Sequence, residues 1–327
     1  MLTDYENMNF KQRKIIGHRK QIEIIAKSIN SDKVFPVWIF WGADGIGKTS
    51  VAYKFAKCLL ADLNSVNENL DLADDSKIHN SVDNRTHPDF FVMDSASPSI
   101  DEARILMGKV NKSPSLSRRR VVIIENADKL NKNIYNSLLK ILEEPPRNTV
   151  FILVCSTIGN LPITLQSRAI KLKFNPLNKS EVMLALSLFD VENAETLASI
   201  SDGSVGNALY LYENNGIDLY QHLLRAFSSD YETSHKTVKY IIENKLCDNF
   251  GLIKQLIIKV LKEYIDTIAE VKINDHFASS VGKVSIDHEI EKVLQIISNL
   301  NRGELLMLDK NGMVAEVFEI FFERCEI

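Results

Sequence analysis

Eight residues from Gly42 to Thr49, with the sequence GADGIGKT, have the types and spacing of a phosphate-binding loop, called the P-loop below. Its glycines let the backbone bend so that amide protons converge on phosphate oxygens at the start of a helix. Lys48 would neutralise the β and γ phosphates of a nucleotide, and the Thr49 hydroxyl would bind Mg²⁺. The alternative is a glycine turn before an ordinary helix. The residues predicted to bind ATP or ADP here are Gly42, Asp44, Gly45, Ile46, Gly47, Lys48, Thr49 and Ser50.

Two polar residues, Glu125 and Asn126, follow the apolar run 121–124. ATP hydrolysis at a P-loop needs a carboxylate for magnesium and a group that positions or activates the attacking water. Glu125 can reach the metal ion through water, whereas the amide of Asn126 accepts no proton. A missing general base typically costs a factor of about 10² to 10⁴ in rate. We therefore predict a magnesium site at Thr49 and Glu125 with little hydrolysis; the alternative for Glu125 is a solvated carboxylate.

Ser156 and Arg168 complete the candidate site residues. Ser156 ends the next buried strand, where its side chain could sense the γ-phosphate, although a serine there is more often a turn former. Arg168 follows a short helical segment and precedes the last strand. It could project from the edge of the domain toward the nucleotide of a neighbouring subunit; a surface ion pair is the alternative.

The elements that must position these residues alternate between strands and helices. Short apolar runs predict strands, with β-branched residues at 121–124 that indicate a strand buried on both faces. Amphipathic segments predict the helices, and Pro145-Pro146 ends one of them. The polar stretch 62–86 shows no period and predicts a long loop. This order favours an α/β domain with a parallel sheet. Strands are predicted at 37–40, 90–93, 120–125, 150–156 and 170–174, and helices at 48–60, 99–110 and around 134–142.

After about residue 176 the strand signal fades and helical patterns continue to the end of the chain. We predict three parts: an α/β nucleotide-binding domain at 1–176, a small helical lid at 177–218, and a C-terminal helical domain at 219–327. A length of 327 residues also favours two or three domains.

Composition and charge limit the classes of function. The net charge of −4 and pI near 6.0 make a free-standing nucleic-acid binder improbable, so DNA contact by the basic triplet 118–120 would be local or shared with partners. The 4 cysteines form no CxxC pair, which argues against zinc and fits a reducing compartment. Residues 1–14 contain no signal-peptide pattern, and the apolar runs are too short for a membrane span. We predict a cytoplasmic protein with no membrane partner.

Several segments together resemble the clamp-loader subunits of bacterial DNA polymerase III, of the AAA+ class, and most closely the delta-prime type. The box Ile15-Ile16-Gly17-His18 is similar to one that lies near the adenine in related modules, which assigns Ile16 to the nucleotide site. The stretch 136–146, NSLLKILEEPP, resembles NALLKxLEEPP of this family. His87-Pro88-Asp89 is similar to an HPD segment, and Ser167-Arg168-Ala169 falls on the SRC motif.

The departures from the motor subunits of that family indicate a different role. The motors carry Asp-Glu where this chain has Glu125-Asn126, and a lid arginine where it has Gly206. The zinc-binding cysteines of many relatives are also absent. The resemblance therefore implies a stator-like subunit with a C-terminal collar that offers Arg168 as an arginine finger. Its implied partners are gamma/tau-type and delta-type subunits, the sliding clamp and primed DNA, in an assembly whose polymerase chemistry lies outside this chain.

Two other functions stay open at this point. A self-sufficient AAA+ ATPase, such as a gamma/tau-type motor, would need Glu125 to hold the metal and another residue to activate water. A small-molecule P-loop kinase is disfavoured by the LEEPP segment and by the long helical C-terminus.

Overall fold

The structure, a computed structural model, divides into two compact units, Met1–Ala208 and Leu209–Ile327. Neither unit's boundary decides the three-part division predicted above, which stays a prediction. The residues that the structure describes are 15–61, 66–67, 70, 76–94, 99–228, 231–244, 249–273, 286–306 and 309–322.

A five-stranded parallel sheet forms the centre of the first unit, in the order β2-β3-β4-β1-β5. Its central strands are rich in Val, Ile and Phe and are buried along their whole length, as expected for strands covered on both faces. The strands are β1 (Val37–Trp41), β2 (Phe90–Met93), β3 (Arg120–Ile124), β4 (Thr149–Cys155) and β5 (Ile170–Lys173).

Helices cover both faces of this sheet and make two hydrophobic cores. Successive side chains of a strand point to opposite faces, so Trp38 and Phe40 enter one core while Val37 and Ile39 enter the other. The helices of this unit are α1 (Arg19–Asn30), α2 (Lys48–Leu60), α3 (Ser76–Asp83), α4 (Ile100–Val110), α5 (Lys132–Glu143), α6 (Ile163–Arg168), α7 (Lys179–Leu186), α8 (Ala194–Ile200) and the first part of α9 (Val205–Glu213).

The carboxyl ends of the parallel strands meet at one edge of the sheet. Trp41, the last residue of β1, pairs with Cys155 of β4 and with Lys173 of β5. Ile124, the last residue of β3, pairs with Leu153 of β4. The residues that follow β1, β3 and β4 therefore begin at the same edge, and they include the P-loop, Glu125 and Ser156.

The second unit is helical throughout its described residues. Phe227 stacks on Phe318 at 4.5 Å between ring centroids, and the Tyr220 hydroxyl donates to Glu263 at 2.6 Å. No described helix is long and apolar enough to span a membrane. The helices of the second unit after α9 are α10 (Gly216–Ser228), α11 (Tyr231–Glu243), α12 (Phe250–Ile273), α13 (Ile286–Leu306) and α14 (Lys310–Phe322).

The predicted fold class, an α/β domain with a parallel sheet followed by an all-α C-terminal region, is confirmed. One local prediction was wrong: the second half of the predicted loop 62–86 contains α3. Val82 of that helix is buried, and Asp83 pairs with the buried Lys57 at 2.8 Å. Tertiary contacts therefore stabilise a helix that its short polar sequence does not reveal. Residues 62–65, 68–69 and 71–75 of that stretch, and residues 1–14, lie outside the described residues.

Candidate nucleotide site

The P-loop connects β1 to α2 and has a backbone that only glycine adopts easily at its key position. Gly47 is the N-cap residue of α2 and has φ 105°, in the region that disfavours other residues. A Cβ at Gly47 would meet only the His18 ring, at 3.6 Å and 3.8 Å. The strand–glycine loop–helix arrangement predicted from the sequence is therefore present.

The backbone of this loop fits a phosphate group. The first backbone hydrogen bond of α2 runs from the Val51 amide to the carbonyl oxygen of the N-cap residue Gly47, at 3.1 Å. The amides of Lys48, Thr49 and Ser50 donate to no acceptor among the described residues. Unpaired amides at a helix N-terminus, together with the helix dipole, bind anions. Thr49 and Ser50 are half-buried beside them. An oxygen donor of this kind suits Mg²⁺ held partly by a nucleotide.

The ammonium group of Lys48 is turned into the P-loop. Its Nζ donates to the carbonyl oxygens of Gly42 at 2.7 Å and Ala43 at 2.6 Å, and only 5% of the side chain is exposed. Burial lowers the pKa of Lys48, although the nearby Asp44 carboxylate opposes that shift. The lysine is thus held at the loop by carbonyl groups that phosphate oxygens could replace as its partners.

Asp44 joins the P-loop to two other parts of the sheet edge. Its Oδ1 accepts a hydrogen bond from the Ser156 hydroxyl and lies 3.7 Å from Lys48 Nζ. Its Oδ2 lies 3.9 Å from the Nζ of Lys129. The structure therefore brings together Asp44, Lys48 and Ser156, which were predicted as separate members of the site.

Asp128, which sequence reasoning missed, holds the end of β4. Its Oδ2 accepts the backbone N–H groups of Ser156 at 3.1 Å and Thr157 at 2.8 Å. These hydrogen bonds fix the backbone at Ser156 and therefore the position of its side chain. The only sequence signal was an acidic residue close after Glu125, and that position carries no recognisable spacing.

Glu125 and Asn126 begin where β3 ends. The Glu125 amide donates to Met93 on β2 at 2.8 Å, which continues the sheet by one residue. Burial and the Glu125 carboxylate both raise the pKa of Tyr53 on α2. Asn126 has φ 49° and ψ 40°, a left-handed conformation in which asparagine is enriched, and it starts the short turn 127–129. Asn126 is therefore suited to this turn as well as unable to accept a proton.

The box Ile15–His18 lies against the P-loop through His18. The Nε2 of His18 is 2.6 Å from the Ile46 carbonyl oxygen, and its ring lies 4.9 Å from that of Phe174. Because a carbonyl only accepts, Nε2 carries the proton. Burial lowers the pKa of His18, so the ring is neutral at neutral pH. Ile16 is half-buried two residues earlier. His18 is a further site residue that the prediction named only as part of the box.

Two residues of the segment predicted to be a lid, 177–218, contact the P-loop directly. The Ser204 hydroxyl donates to the Asp44 carbonyl oxygen at 2.8 Å, and the Gly206 amide donates to the Gly45 carbonyl oxygen at 2.9 Å. Ser204 Oγ also accepts from the Asn207 amide at 3.1 Å, as a cap of α9 does. Ser204 and Gly206 therefore belong to the site, although the sequence alone indicated only a missing arginine at Gly206.

Arg168 lies at the end of α6 and makes no described contact with the P-loop. Its Nη1 is 3.5 Å from the Glu143 carbonyl oxygen and 3.9 Å from the Glu143 carboxylate, and 56% of the side chain is exposed. Exposed pairs of this kind contribute little to stability. The guanidinium is therefore accessible to a partner.

The HPD segment and the basic triplet have structural contacts that the sequence did not reveal. Asp89 is fully buried and accepts the amides of three successive residues, those of 115–117, at 2.6–2.9 Å. It also lies 3.4 Å from the buried Arg120. Arg118 and Arg119 both pair with Asp32. Two arginines of the triplet are thus partly neutralised and the third is internal, which weakens the interpretation of this triplet as a DNA-binding patch.

Comparison with known proteins finds similarity to subunits of DNA polymerase III. Residues 17–178 match the family described as DNA polymerase III, delta subunit. DNA polymerase III subunit gamma of Buchnera aphidicola (subsp. Schizaphis graminum) is 25% identical over 314 residues, which cover 88% of this chain and 85% of that protein. Over these residues the chain is similar to subunits of DNA polymerase III. The DNA polymerase III subunit tau of Bacillus subtilis is 28% identical to this chain over 208 residues, which cover 61% of this chain and 36% of tau.

One solved structure is similar to this chain over nearly its whole length. The gamma subunit-related protein of DNA polymerase III from Thermotoga maritima has a TM-score of 0.49 and 14% identity, and covers 93% of this chain and 99% of its own.

Proposed function

We propose that this chain is a stator-like, delta-prime-type subunit of a clamp loader, which helps to load the sliding clamp onto primed DNA. The observation that carries the proposal is the accessible guanidinium of Arg168 at the end of α6, whose described contacts are with Glu143 alone. In this role the helical C-terminal domain binds gamma/tau-type and delta-type subunits, and Arg168 reaches the ATP of an adjacent motor subunit. The cytoplasmic localisation is part of the same proposal.

An arginine offered in this way acts on the neighbour's chemistry. When the γ-phosphoryl group transfers, negative charge on its oxygens needs stabilisation, and an arginine supplied in trans contributes a factor of about 10³ to 10⁵ in turnover. Such a finger must be held by a rigid base. Leu165 is fully buried on α6, and the Gln166 side-chain amide donates to the carbonyl oxygens of Ile158 and Leu161 at 2.9 Å each. These contacts fix α6 to the rest of the domain and so hold the backbone of Arg168 in place.

The chain's own P-loop is proposed to bind ATP or ADP with Mg²⁺ and to hydrolyse ATP slowly at most. The free amides of the first turn of α2 support phosphate binding, and Thr49 with Glu125 would hold the metal ion. Ile16 would lie by the adenine. Asn126 cannot accept a proton from water, and Gly206 supplies no charge to the transferring phosphate. Magnesium, when bound, would neutralise phosphate charge; the protein residues orient the nucleotide.

The reconstituted assembly tests the trans role. Arg168→Ala is expected to lower the ATPase rate of the complete clamp loader by at least about 10²-fold, with subunit binding intact. Arg168→Lys, which keeps the charge but loses the planar fork, should restore only part of the rate. Arg147→Ala is the matched control, because Arg147 is an exposed arginine in the loop after α5. Unchanged ATPase activity in an assembled Arg168→Ala complex would refute the role of Arg168.

A gamma/tau-type motor is the second candidate, favoured by relatives that are named gamma and tau subunits. Such a motor hydrolyses ATP in its own P-loop. Magnesium-dependent turnover by the pure chain, abolished by Lys48→Ala, together with self-assembly into a ring, would support this candidate and contradict the stator proposal.

A further inference from the structure

The Asp44 carboxylate contacts side chains that a bound γ-phosphate would also contact. It accepts the hydroxyl of Ser156 through Oδ1, and the same oxygen lies 3.7 Å from Lys48 Nζ. The other oxygen is 3.9 Å from Lys129 Nζ. A carboxylate that meets two ammonium groups and a hydroxyl has the charge and the acceptor geometry of a phosphate oxygen pair.

Two of these three partners have roles in the proposed nucleotide site. Lys48 is the P-loop lysine, which would neutralise the β and γ phosphates. Ser156, at the end of β4, is the polar residue proposed to sense the γ-phosphate. Asp44 is therefore in competition with the last phosphate of ATP for both contacts. ADP lacks that phosphate and leaves these Asp44 contacts undisturbed.

The backbone of Asp44 is held in place by the lid. Its carbonyl oxygen accepts from the Ser204 hydroxyl at 2.8 Å, and the carbonyl oxygen of the next residue, Gly45, accepts from the Gly206 amide at 2.9 Å. On the other side, Asp128 holds the Ser156 amide at 3.1 Å. Because both ends of the Asp44–Ser156 bond are anchored, the carboxylate releases Ser156 and Lys48 only by rotating its own side chain, 61% of which is exposed.

We infer that Asp44 is a specificity-determining residue of the P-loop, an internal competitor of the γ-phosphate that makes the site bind ADP more tightly than ATP. The inference rests on the proposed binding of nucleotide to this P-loop and adds the nucleotide preference. Its physical cause is the repulsion between two like charges that share one set of cationic partners, a repulsion that ADP avoids.

Calorimetric titration of the purified full chain with ATP or ADP, each with Mg²⁺, tests this inference. The wild type is expected to bind ADP at least about tenfold more tightly than ATP, a difference of about 1.4 kcal/mol. Asp44→Asn keeps the shape of the side chain and removes its charge. It should lower the ratio of the dissociation constant for ATP to that for ADP by about tenfold. Asp44→Ala should do the same. Asp101→Asn is the matched control, an exposed aspartate on α4 whose loss should leave the ratio unchanged.

The outcomes separate this inference from the proposed function. An unchanged ratio in Asp44→Asn and Asp44→Ala would overturn it, because the side chain would then simply rotate away from ATP. Absence of binding of either nucleotide to the wild type and to both variants also overturns it, while the Arg168 experiment in the assembly still decides the stator role. If Lys48→Ala leaves binding intact, nucleotide binds outside the P-loop and the inference is wrong. A ratio that falls in both Asp44 variants, with Lys48→Ala inactive in binding, supports it.

Discussion

The amide of Gly206 donates to the carbonyl oxygen of Gly45 at 2.9 Å, and the two backbones approach so closely that a Cβ on Gly206 would lie 2.8 Å from the Gly45 Cα. The sequence resemblance to the motor subunits implies that Gly206 stands at their sensor-arginine position. Its glycine therefore does more than lack a charge: it permits direct contact between the lid and the P-loop.

Restoring the arginine should damage this contact. Gly206→Arg places a side chain against backbone that cannot move without breaking the hydrogen bond, so we expect a loss of about 1–3 kcal/mol in the free energy of unfolding and no gain in ATPase activity. Urea denaturation and an ATPase assay measure both effects. Gly108→Arg is the control, because nothing lies within 4 Å of a Cβ at this exposed position of α4. A Gly206→Arg protein as stable as wild type would show that the contact is dispensable.

The buried Asp89 should be among the most sensitive polar positions of the first unit. Asp89→Asn removes the charge that accepts the amides of 115–117 and leaves Arg120, whose side chain is 3% exposed, without its carboxylate. Breaking a buried charge pair typically costs about 3–5 kcal/mol. Chemical denaturation should show a loss of this size, whereas Asp101→Asn, at an exposed aspartate, should change stability by less than about 0.5 kcal/mol. A loss below 1 kcal/mol at Asp89 would contradict this account.

The lowered pKa of His18 should make the protein less stable in mild acid. Burial lowers its pKa below the ordinary value of 6.5, against the opposing effects of the Ile46 carbonyl and Glu181. The unfolded chain therefore takes up the proton first, so the full stability is present above about pH 6.5 and falls as the pH drops through the folded-state pKa. Burial lowers the pKa of His87 as well, and its effect has the same sign.

Urea denaturation between pH 7.5 and 5.5 measures this dependence. His18→Gln keeps a donor for the Ile46 carbonyl and removes the titration, so its stability should fall less steeply with pH than that of wild type. The pKa of Asp89 is also lowered: burial would raise it, but hydrogen bonds from 115–117 and Arg120 outweigh burial. The loss due to Asp89 therefore begins near pH 4 and does not overlap this window. Equal slopes for wild type and His18→Gln would exclude His18 as the cause.

Asp128 should matter for the end of β4. Asp128→Ala leaves the amides of the half-buried Ser156 and the exposed Thr157 without their acceptor, and the net contribution of such a hydrogen bond is about 0.5–1.5 kcal/mol. We expect a loss in that range by chemical denaturation, with faster hydrogen exchange at these two amides. Asp101→Ala, at an exposed aspartate, serves as the matched control. Unchanged exchange at Ser156 would mean that Asp128 does not hold this strand end.

The sheet domain follows closely from the sequence because its signals are local. Buried parallel strands are continuous apolar runs, as at 121–124, and the P-loop needs a fixed spacing of glycine, lysine and threonine. Pro145 stops α5, whose last residue is Glu143. The exception, α3, shows the limit of such patterns: its polar sequence has little preference for a helix, and the helix depends on Val82 and on the pair between Lys57 and Asp83.

The sequence by itself determined the sheet, the P-loop and the positions of Ser156 and Arg168 along the chain. It also placed Asn126, whose amide accepts no proton, directly after Glu125. Only the tertiary structure decided that Asp44 meets Ser156, 112 positions away, and that Gly45 meets Gly206. The physical reason is the strand order, which places β4 beside β1 although four α-helices and two strands separate them along the chain. Hydrogen bonds between such distant residues depend on that order, and no periodicity within a single segment contains it.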